Sequence, residues 1–412
     1  MERIESMKKL KIGILTFHRS INYGAVMQCY ALQQQIQSDF PDDVVEVIDF
    51  IPRNRYKFYV PTLRNYLFSN WHYIKIPLVR VKSLWGKVMH LSNWGTIKKR
   101  YEVFQKSLEC LKLSKDFYCT DEPEAFRKGV EGKYDVIVVG SDCVWEWTIL
   151  GIPSAYYLCG EFNAHKMSYA ACSGVNDYRN LDAPGQDYLK RAFNSYDYIG
   201  VRDSATAFNV ENLCTKLKIH RNCDPTTLIN PNRLEKYRKH VKDVLTERGI
   251  DWSKPVIGLM CNEIIGKLAY GIFGDSVQYV GVYTPNKYAT VFLEDLLVLE
   301  WASIFGLFSM TFTTFFHGTM LSLVNRTPVL SFDYYEGDEA HLSKIEELYR
   351  RLKLPGYYHK GKQSYGKADL DEIGRIARTI ISTPQSDVID AEILTEARSY
   401  KSFHEALIKM HY

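Results

Sequence analysis

Residues 11–37 read KIGILTFHRSINYGAVMQCYALQQQIQ, and this stretch decides the fold class. Its first part, 11–17, is a short apolar run, which predicts a strand buried on both faces. Its last part, 25–37, has the pattern of a helix. A buried strand that leads through a short loop into a helix is the unit from which parallel α/β sheets are built.

Short apolar runs followed by helical patterns recur along the chain. Further strands are predicted at 44–50, 134–139, 167–171, 198–202, 257–260, 308–315 and 328–332. Because these strands are apolar on both faces, we expect parallel sheets covered by helices. The charged segment 230–254 divides the series, so the α/β fold should consist of two Rossmann-like domains, 1–235 and 236–412, with a cleft between them. A long amphipathic helix is predicted over 387–411, where it could pack back on the N-terminal domain.

The composition is that of an ordinary globular protein. The chain has 412 residues, of which 46% are hydrophobic, and a formal net charge of +4. These values exclude wholesale disorder and collagen-like repetition. The nine cysteines include no CxxC pair, which argues against a zinc cage or an extracellular disulfide framework and favours reduced thiols. The apolar run at 12–17 is too short for a signal peptide, and the uncharged stretch 301–325 is too polar for a membrane span. We therefore expect a cytoplasmic protein without a metal.

Basic residues are concentrated in one segment, 51–101, which we interpret as an insertion in the N-terminal domain. Residues 51–100 include 11 Lys and Arg, nine aromatic residues and no Asp or Glu. Such a segment favours an anionic, partly apolar neighbour. The alternative is a solvated helical insertion whose tryptophans belong to the core.

Several common functional motifs are absent from the sequence. It contains no GxGxxG after a strand, no GxxxxGK[ST], no HExxH and no GxSxG. These absences argue against a fingerprint dinucleotide site, a P-loop enzyme, common zinc proteases and serine hydrolases. No RNA-binding or DNA-binding motif accompanies the basic segment, so no nucleic-acid partner is expected.

Two loops in the first half place small and polar residues after predicted strands. Asn22 and Gly24 begin the first helix, where backbone N–H groups and the positive end of the helix dipole can bind an anion. The third predicted strand is followed by Ser141, Asp142 and Trp145. Asp142 could hold an acceptor hydroxyl or act as a base, and Trp145 could stack on a sugar ring. The alternative roles are structural. Asn22 and Asp142 would cap helices, Gly24 would only avoid a clash, and Trp145 would be a core residue.

A third loop carries an arginine at the end of a predicted strand. Arg202 should point into the cleft, where its fork can hold a carboxylate or phosphate in two parallel bonds. The alternative is an ion pair with Asp203 or Asp224.

The fourth loop carries a histidine at the point where an uncharged strand turns into a helix. His317 is followed there by Gly318 and Thr319, whose amides are expected to face the same cleft. The alternative is a satisfied core histidine, which is the commoner role of a lone His beside a strand.

Together, these segments in this order resemble the polysaccharide pyruvyl transferase family. The matching stretches are 13–18 with 22–25, 139–142 with 144–145, 168–171 with 173–174, 201–203, 224–226, and 316–319 with Pro328. The resemblance runs from about residue 11 to 335. It implies a GT-B-like arrangement of the two domains. It also implies transfer of the pyruvyl group of phosphoenolpyruvate to two hydroxyls of a sugar, as a cyclic ketal, in cell-surface or capsular polysaccharide biosynthesis. Phosphoenolpyruvate would be a co-substrate, and no further cofactor is expected.

The resemblance also implies roles for individual residues. In the family, an arginine after a first-half strand and a histidine in the second half hold the donor, and these map onto Arg202 and His317. We expect Arg202 to bind the carboxylate or phosphate, and His317 to contact the phosphate and move the proton. Asp142 is the candidate for positioning or deprotonating the acceptor. The other donor-binding candidates are Asn22, Gly24, Ser141, Gly318 and Thr319.

Phe315 departs from the family pattern, because some members carry an arginine two residues before the histidine. The second cation is therefore expected at Arg19 or Arg326, or else the donor differs. A GT-B glycosyltransferase that uses a nucleotide sugar is the alternative function, and a non-enzymatic anion-binding protein is a third hypothesis.

The basic segment gains a role from the resemblance. An acceptor carried on polyprenyl diphosphate would bring the enzyme to the inner face of the membrane. Cations near anionic headgroups contribute roughly 1 kcal/mol each, which favours peripheral binding. The residues concerned are Arg53, Arg55, Lys57, Arg64, Lys75, Arg80, Lys82 and Lys87, interleaved with Tyr59, Phe68, Trp71 and Trp85.

Overall fold

The computed structural model describes residues 8–68, 87–88, 92–174, 176–335, 342–383 and 385–412. In its first half, five strands form a sheet: β1 Lys11–Leu15, β2 Val44–Ile51, β3 Leu113–Cys119, β4 Val136–Val139 and β5 His165–Ser168. Their order is β3-β2-β1-β4-β5, and every pair is parallel. In β1, Ile14 is aligned with Val47 of β2 on one side and with Val138 of β4 on the other.

A short parallel pair extends this half beyond β5. It consists of β6 Ile199–Val201 and β7 Ile219–Arg221. Isolated bridges join Met167 to Tyr198 and Ala171 to Val201. The carboxyl ends of β4, β5 and β6 therefore lie side by side.

Six parallel strands form the sheet of the second half. They are β8 Val256–Met260, β9 Gln278–Val282, β10 Val291–Leu293, β11 Met310–Thr313, β12 Val329–Asp333 and β13 Tyr358–Lys360. Their order is β10-β9-β8-β11-β12-β13. The predicted α/β fold class with parallel sheets is confirmed.

Helices connect the strands in both halves. The first half contains α1 Tyr23–Asp39, α2 Arg53–Tyr59, α3 Leu63–Phe68, α4 Ser92–Ser107, α5 Pro123–Val130, α6 Trp147–Leu150, α7 Ala183–Phe193 and α8 Ser204–Leu213. The second half contains α9 Asn232–Glu247, α10 Glu263–Phe273, α11 Val298–Ile304, α12 Phe316–Val324, α13 Lys344–Arg351, α14 Lys367–Ser382, α15 Ser386–Ala397 and α16 Lys401–Lys409. Asn22, Asp203 and Ser343 cap α1, α8 and α13 by accepting backbone N–H groups, which fixes where these helices begin.

One apolar core runs across both halves. Met27 and Leu32 of α1 belong to the same buried cluster as Leu234 of α9 and Trp301 of α11. Burial of these side chains therefore stabilises the two sheets against each other.

The end of the chain differs from the single helix predicted over 387–411. A 3-10 turn, Arg398–Tyr400, separates α15 from α16. The turn places the ring of Tyr400 5.7 Å from that of Tyr169, and the ring of Phe403 lies 5.0 Å from the same tyrosine. The last residues thus pack against the first half through aromatic contacts.

The basic segment is described only in part. Residues 69–86 and 89–91, which include Trp71, Lys75, Arg80, Lys82 and Trp85, lie outside the described residues. The lipid-facing surface therefore stays a prediction. Within the described residues, none of the helices has the length and apolar character that crossing a bilayer requires.

Candidate functional site

The main predicted site residues of both halves meet at the carboxyl ends of parallel strands. Asp142 follows β4, Arg202 follows β6, and His317 follows β11. Across the two halves, Nε2 of His317 lies 3.5 Å from Nε2 of Gln28 in α1. Ligands of parallel α/β sheets bind outside this edge. We refer to Asp142, Arg202 and His317 with their immediate neighbours as the cleft site.

Arg202 is buried in the cleft site, with 4% of its surface exposed. Its Nη1 donates to Oδ2 of Asp224 at 3.1 Å, and Nε lies 4.0 Å from Oδ2 of Asp203. Arg202 therefore forms the ion pairs with Asp203 and Asp224 that were the alternative to anion binding. Nε and Nη2 nevertheless make no hydrogen bond to any residue that the structure describes. These two groups form one edge of the fork, and an anion that binds there would relieve a desolvation cost of roughly 1–3 kcal/mol per group.

Gln28, which no sequence pattern singled out, links two site loops. Oγ of Ser141 donates to Oε1 of Gln28 at 2.7 Å, and Nε2 of Gln28 donates to Oδ2 of Asp224 at 2.6 Å. Ser141 is 1% exposed, so its hydroxyl serves this network rather than a ligand, contrary to the donor-binding prediction. The network orients Asp224, which in turn holds Arg202.

His317 is half-buried at the start of α12. Its Nδ1 has no hydrogen-bond partner among the described residues. Burial lowers the pKa of His317; the carboxylates of Asp224 and Asp142 oppose this shift, and the charges of Arg202 and Lys344 add to it. The ring is therefore neutral near pH 7 before a donor binds.

Asn22 and Gly24 have structural roles, and a contact of Asn22 with the donor stays a prediction because Asn22 also lines a cavity with Asp142. Oδ1 of Asn22 accepts the N–H of Gly24 at 2.9 Å, so this amide is not free to bind a donor anion. Gly24 lies against the imidazole of His317: a Cβ on Gly24 would be 2.0 Å from Cδ2 of that ring. The alternative interpretation, a cap followed by a glycine that avoids a clash, is the one that the contacts support.

Gly318 and Thr319 pack closely within α12. The amide of Thr319 does not face the cleft, contrary to the prediction, whereas the contact of the Gly318 amide with the donor stays a prediction. Thr319 is fully buried; its N–H donates to the carbonyl of Phe315 at 3.1 Å, and its hydroxyl is 2.7 Å from Oγ of Ser331. A Cβ on Gly318 would lie 2.3 Å from Oγ1 of Thr313. Close packing at these two residues fixes the helix that carries the histidine.

Asp142 lies among the positive charges of the cleft site. Burial alone would raise the pKa of its carboxyl, but Lys344, Arg202 and His317 outweigh this effect and lower the pKa. Oδ1 accepts the N–H of Cys143 at 2.8 Å. Asp142 is thus ionised, as a group that accepts a proton from a hydroxyl must be.

Lys344, the first residue of α13, supplies the second cation of the site. Its Nζ is 2.9 Å from Sγ of Cys143. Burial alone would lower the pKa of Lys344, but Cys143, Cys172 and Asp142 outweigh burial and raise the pKa, so the ammonium stays charged. No sequence motif marked this lysine, because it opens an ordinary charged helix.

The two arginines predicted as second cations are engaged in ion pairs, although Arg19 lines the cavity next to Asp142. Arg19 pairs with Asp49, to which its Nη2 donates at 2.6 Å. Arg326 is 53% exposed, and its Nε donates to Asp390 at 2.8 Å. Arg326 therefore lies in a surface ion pair, contrary to the prediction. The fork of Arg19 is already occupied by the carboxylate of Asp49.

Two cavities adjoin the cleft site and share Cys143 and Glu146 in their walls. The Lys344 cavity, of about 280 Å³, is also lined by Gly174, Asp203, Phe316, Ser343 and Lys344. The Asp142 cavity, of about 230 Å³, is also lined by Arg19, Asn22, Arg55, Tyr59 and Asp142. A smaller space of about 10 Å³ lies between Arg202 and Lys344, with Phe316 in its wall. Asp142 and Lys344 thus each face a space of ligand size on either side of Cys143.

Trp145 does not line these cavities, contrary to the prediction that it stacks on an acceptor sugar. It is 0% exposed, its Nε1 donates to the carbonyl of Tyr156 at 3.2 Å, and its ring lies 4.9 Å from that of Phe193. Both ring faces are therefore enclosed by the core. Tyr59, in the wall of the Asp142 cavity, is an aromatic residue that a ligand there can reach.

Comparison with family models matches residues 22–336 to the family described as polysaccharide pyruvyl transferase. The matched region contains Asp142, Arg202 and His317 and spans most of the chain. The chain belongs to this family. Membership makes the protein a transferase of polysaccharide biosynthesis. Lys344 lies beyond the residues that the family model matches. A comparison with curated proteins gives no match.

The fold of this pyruvyl transferase is similar to those of several solved structures. A glycosyltransferase from Rickettsia africae has a TM-score of 0.54 at 8% identity, covering 98% of each chain. A UDP-N-acetylglucosamine 2-epimerase from Rickettsia bellii has a TM-score of 0.53 at 10% identity, covering 98% of this chain and 97% of its own. The UDP-GlcNAc 2-epimerase of Methanocaldococcus jannaschii has a TM-score of 0.52 at 11% identity, covering 96% and 99%. These similarities bear on the fold alone and agree with the GT-B-like architecture expected from the sequence.

Proposed function

We propose that the enzyme transfers the pyruvyl group of phosphoenolpyruvate to two hydroxyls of a sugar, forming a cyclic ketal in cell-surface or capsular polysaccharide. The observation that carries this proposal is the Nε and Nη2 edge of buried Arg202, which makes no hydrogen bond to a described residue. Lys344 lines the same small space, and the charge of Arg202 acts on His317. In phosphoenolpyruvate, a carboxylate and a phosphate are attached to the same carbon. Its recognition requires a fork for one anion and a further cation for the other.

Lys344 controls access to this fork. The space between Arg202 and Lys344 measures about 10 Å³, room for about one water molecule. A donor entering from the Lys344 cavity reaches Arg202 when the lysine side chain swings aside. The ammonium then exchanges its contact with Cys143 for one with the donor phosphate.

His317 provides the proton that the reaction needs. The imidazole is neutral in the empty site because burial lowers its pKa. An anionic donor beside the ring stabilises the imidazolium, so the His317 ring takes up a proton when the donor binds. The imidazolium then protonates the methylene carbon of the enol, and positive charge develops at the carbon that carries the phosphate.

Asp142 prepares the acceptor hydroxyls. A first sugar hydroxyl attacks the cationic carbon and gives its proton to the Asp142 carboxylate. Phosphate then leaves with the proton held by Asp142, the second hydroxyl adds to the resulting cationic carbon and gives its proton to His317, and the ketal closes with release of one inorganic phosphate. The Asp142 cavity, with Tyr59 and Arg55 of α2 in its wall, is the proposed site of the sugar. No metal or further cofactor takes part in these steps.

The acceptor in this proposal is carried on polyprenyl diphosphate. Arg55 and Tyr59 belong both to the Asp142 cavity and to the basic segment, so a membrane-bound acceptor would meet cationic residues before it reaches Asp142. The enzyme would then work in the cytoplasm, bound peripherally to the inner face of the membrane. Co-sedimentation with anionic liposomes, lost when the segment's cations are neutralised, is the expected result; equal binding by both forms would contradict it.

Donor identity is tested by thermal unfolding. A ligand that binds only the folded protein raises the unfolding midpoint, by an amount set by its concentration relative to its dissociation constant. Phosphoenolpyruvate should raise the midpoint, and UDP-, GDP- or CMP-sugars should not. The reverse result would favour the second candidate, a nucleotide-sugar glycosyltransferase, which the GT-B-like neighbours leave open.

A further inference from the structure

Cys143 and Cys172 form a thiol pair at the wall of the cleft site. Their Sγ atoms are 3.9 Å apart. The N–H of Cys172 donates to the carbonyl of Asp142 at 3.0 Å, and the N–H of Trp145 donates to the carbonyl of Cys172 at 3.1 Å. The two cysteines thus lie on adjacent, hydrogen-bonded segments after β4 and β5. Adjacent segments of a sheet are about 4.8 Å apart, which is within the Cα separations that a disulfide spans.

Positive charge surrounds this pair. Nζ of Lys344 is 2.9 Å from Sγ of Cys143, and the N–H of Gly174 donates to Sγ of Cys172 at 3.2 Å. The hydrogen bond from the Cys143 thiol lowers the pKa of Cys172, and Arg202 and Lys344 lower it further, against the opposing effects of burial and of the Asp203 carboxylate. A cationic neighbour and hydrogen-bond donors are what make a cysteine sulfur reactive.

The two sulfurs differ in access. Cys143 lines both the Lys344 cavity and the Asp142 cavity, whereas Cys172 is fully buried behind it. A small oxidant that enters either cavity therefore meets Cys143, with a second thiol in reach. The hydrogen bond to Cys172 and burial raise the pKa of Cys143, so the sulfur with the lowered pKa lies behind the one that the oxidant reaches. The two sulfurs are in contact and titrate as a pair, which places a reachable cysteine next to a resolving one, as in oxidation-sensing cysteine pairs.

We propose that Cys143 and Cys172 are a reversible modification site that a peroxide converts to an intramolecular disulfide. The thiolate sulfur of the pair attacks one peroxide oxygen, the O–O bond breaks, and the departing hydroxide takes a proton to become water. The sulfenic acid so formed is attacked by the second sulfur; the S–O bond breaks, and a second water leaves with the remaining proton. The two sulfurs together lose two electrons, and the peroxide is reduced to two waters.

The disulfide changes the cleft site directly. It draws Sγ of Cys143 away from Nζ of Lys344 and joins the loop of Asp142 to the segment after β5. Lys344 thereby loses its sulfur partner. The modification is independent of the transferase reaction and is measured without any substrate.

The test uses the reduced full-length protein with hydrogen peroxide as the probe. After exposure, free thiols are alkylated, the protein is digested, and peptides are identified by mass spectrometry. We expect Cys143 joined to Cys172, with both thiols restored by dithiothreitol. Cys159, a half-buried thiol 3.7 Å from the carbonyl of Tyr188, should remain free to alkylate.

Three variants make the result specific. Cys143→Ser should abolish the cross-link, and Cys159→Ser, the matched control, should retain it. Lys344→Met should slow cross-linking roughly tenfold, the effect of raising a thiol pKa by about one unit. The proposal is overturned if natively folded wild-type protein keeps both thiols after peroxide, or if Cys143 is over-oxidised while Cys172 stays free. An unchanged rate in Lys344→Met would overturn the part assigned to the lysine.

Discussion

Gly24 of α1 and His317 of α12 approach so closely that a Cβ on the glycine would lie 2.0 Å from Cδ2 of the imidazole. The first half of the chain thereby positions the histidine that the second half contributes. No side chain fits between them without moving either the ring or a helix. The position of His317 consequently depends on a glycine far away in sequence.

Gly24→Ala should lower kcat by about 10- to 100-fold and cost about 1–3 kcal/mol of stability, because the added methyl displaces His317. Turnover and the free energy of unfolding measure the two effects. Gly95→Ala in α4 is the matched control, since nothing lies within 4 Å of a Cβ there. It should leave turnover unchanged and not reduce stability. A fully active Gly24→Ala enzyme would show that the ring position is not critical.

Arg202→Lys should raise the KM for phosphoenolpyruvate about tenfold or more. Lysine keeps a positive charge beside buried Asp224 but cannot present two parallel N–H groups. Steady-state kinetics, together with a thermal melt, separate this loss from unfolding. If the variant is folded and its KM is unchanged, the free edge of Arg202 is not where the donor binds.

Lys344→Met should weaken donor binding by about tenfold, since it removes the second cation of the site. Lys367→Met is the matched control, because Lys367 is also the first residue of a helix but is exposed on the surface. Isothermal titration with phosphoenolpyruvate gives both dissociation constants. Equal affinities for the two variants would remove Lys344 from the donor site.

His317 predicts a pH dependence for donor binding. Its lowered pKa leaves the ring neutral in the empty site, and the bound anion raises that pKa, so binding takes up a proton and weakens as the pH rises. Calorimetry in buffers of different ionisation enthalpy measures this uptake at a pH of about 7. His317→Asn should reduce it, and an unchanged uptake would contradict the assignment. Because the folded-state pKa lies below the unfolded value of about 6.5, the empty enzyme should also lose stability as the pH falls below about 6.5.

Trp145→Phe should cost about 1–3 kcal/mol of unfolding free energy and leave the KM for the acceptor nearly unchanged. The indole fills the core and loses its hydrogen bond to Tyr156, but it touches neither cavity. Chemical denaturation measures the free energy of unfolding, and steady-state kinetics with varied acceptor measure the KM. A large rise in acceptor KM with native stability would restore the stacking role that the sequence suggested.

The fold and the centre of the cleft site could be predicted from the sequence. Strands such as β1 and β8 are apolar on both faces, and their periodicity is strong enough to identify them without a structure. Because carboxyl ends of parallel strands meet at one edge, Asp142, Arg202 and His317 could be expected to converge. The strands that were missed, β3, β7, β9, β10 and β13, lie at or near sheet edges or contain three residues, so their apolar signal is weak.

The remaining site features depend on contacts that a linear pattern does not encode. Lys344 reaches Cys143 only because α13 packs across the two halves. The amide of Gly24 was expected to be free, but a local cap from Asn22 satisfies it. Trp145 follows a site loop in sequence, yet its ring turns into the core. Tertiary packing thus decided the role of Trp145 and the position of Lys344, whereas the cap on Gly24 is a local contact that the sequence had offered as an alternative.

Transfer of a pyruvyl group to a sugar can be followed with an isotope. Phosphoenolpyruvate labelled with carbon-13 in all three carbons, incubated with the enzyme and a panel of lipid-linked and free galactosides, provides the most direct measurement. We expect an acceptor that carries all three labelled carbons as a ketal, with one inorganic phosphate released for each acceptor modified. An unlabelled acceptor panel, together with glycosyl transfer from a nucleotide sugar by the same preparation, would contradict pyruvyl transfer.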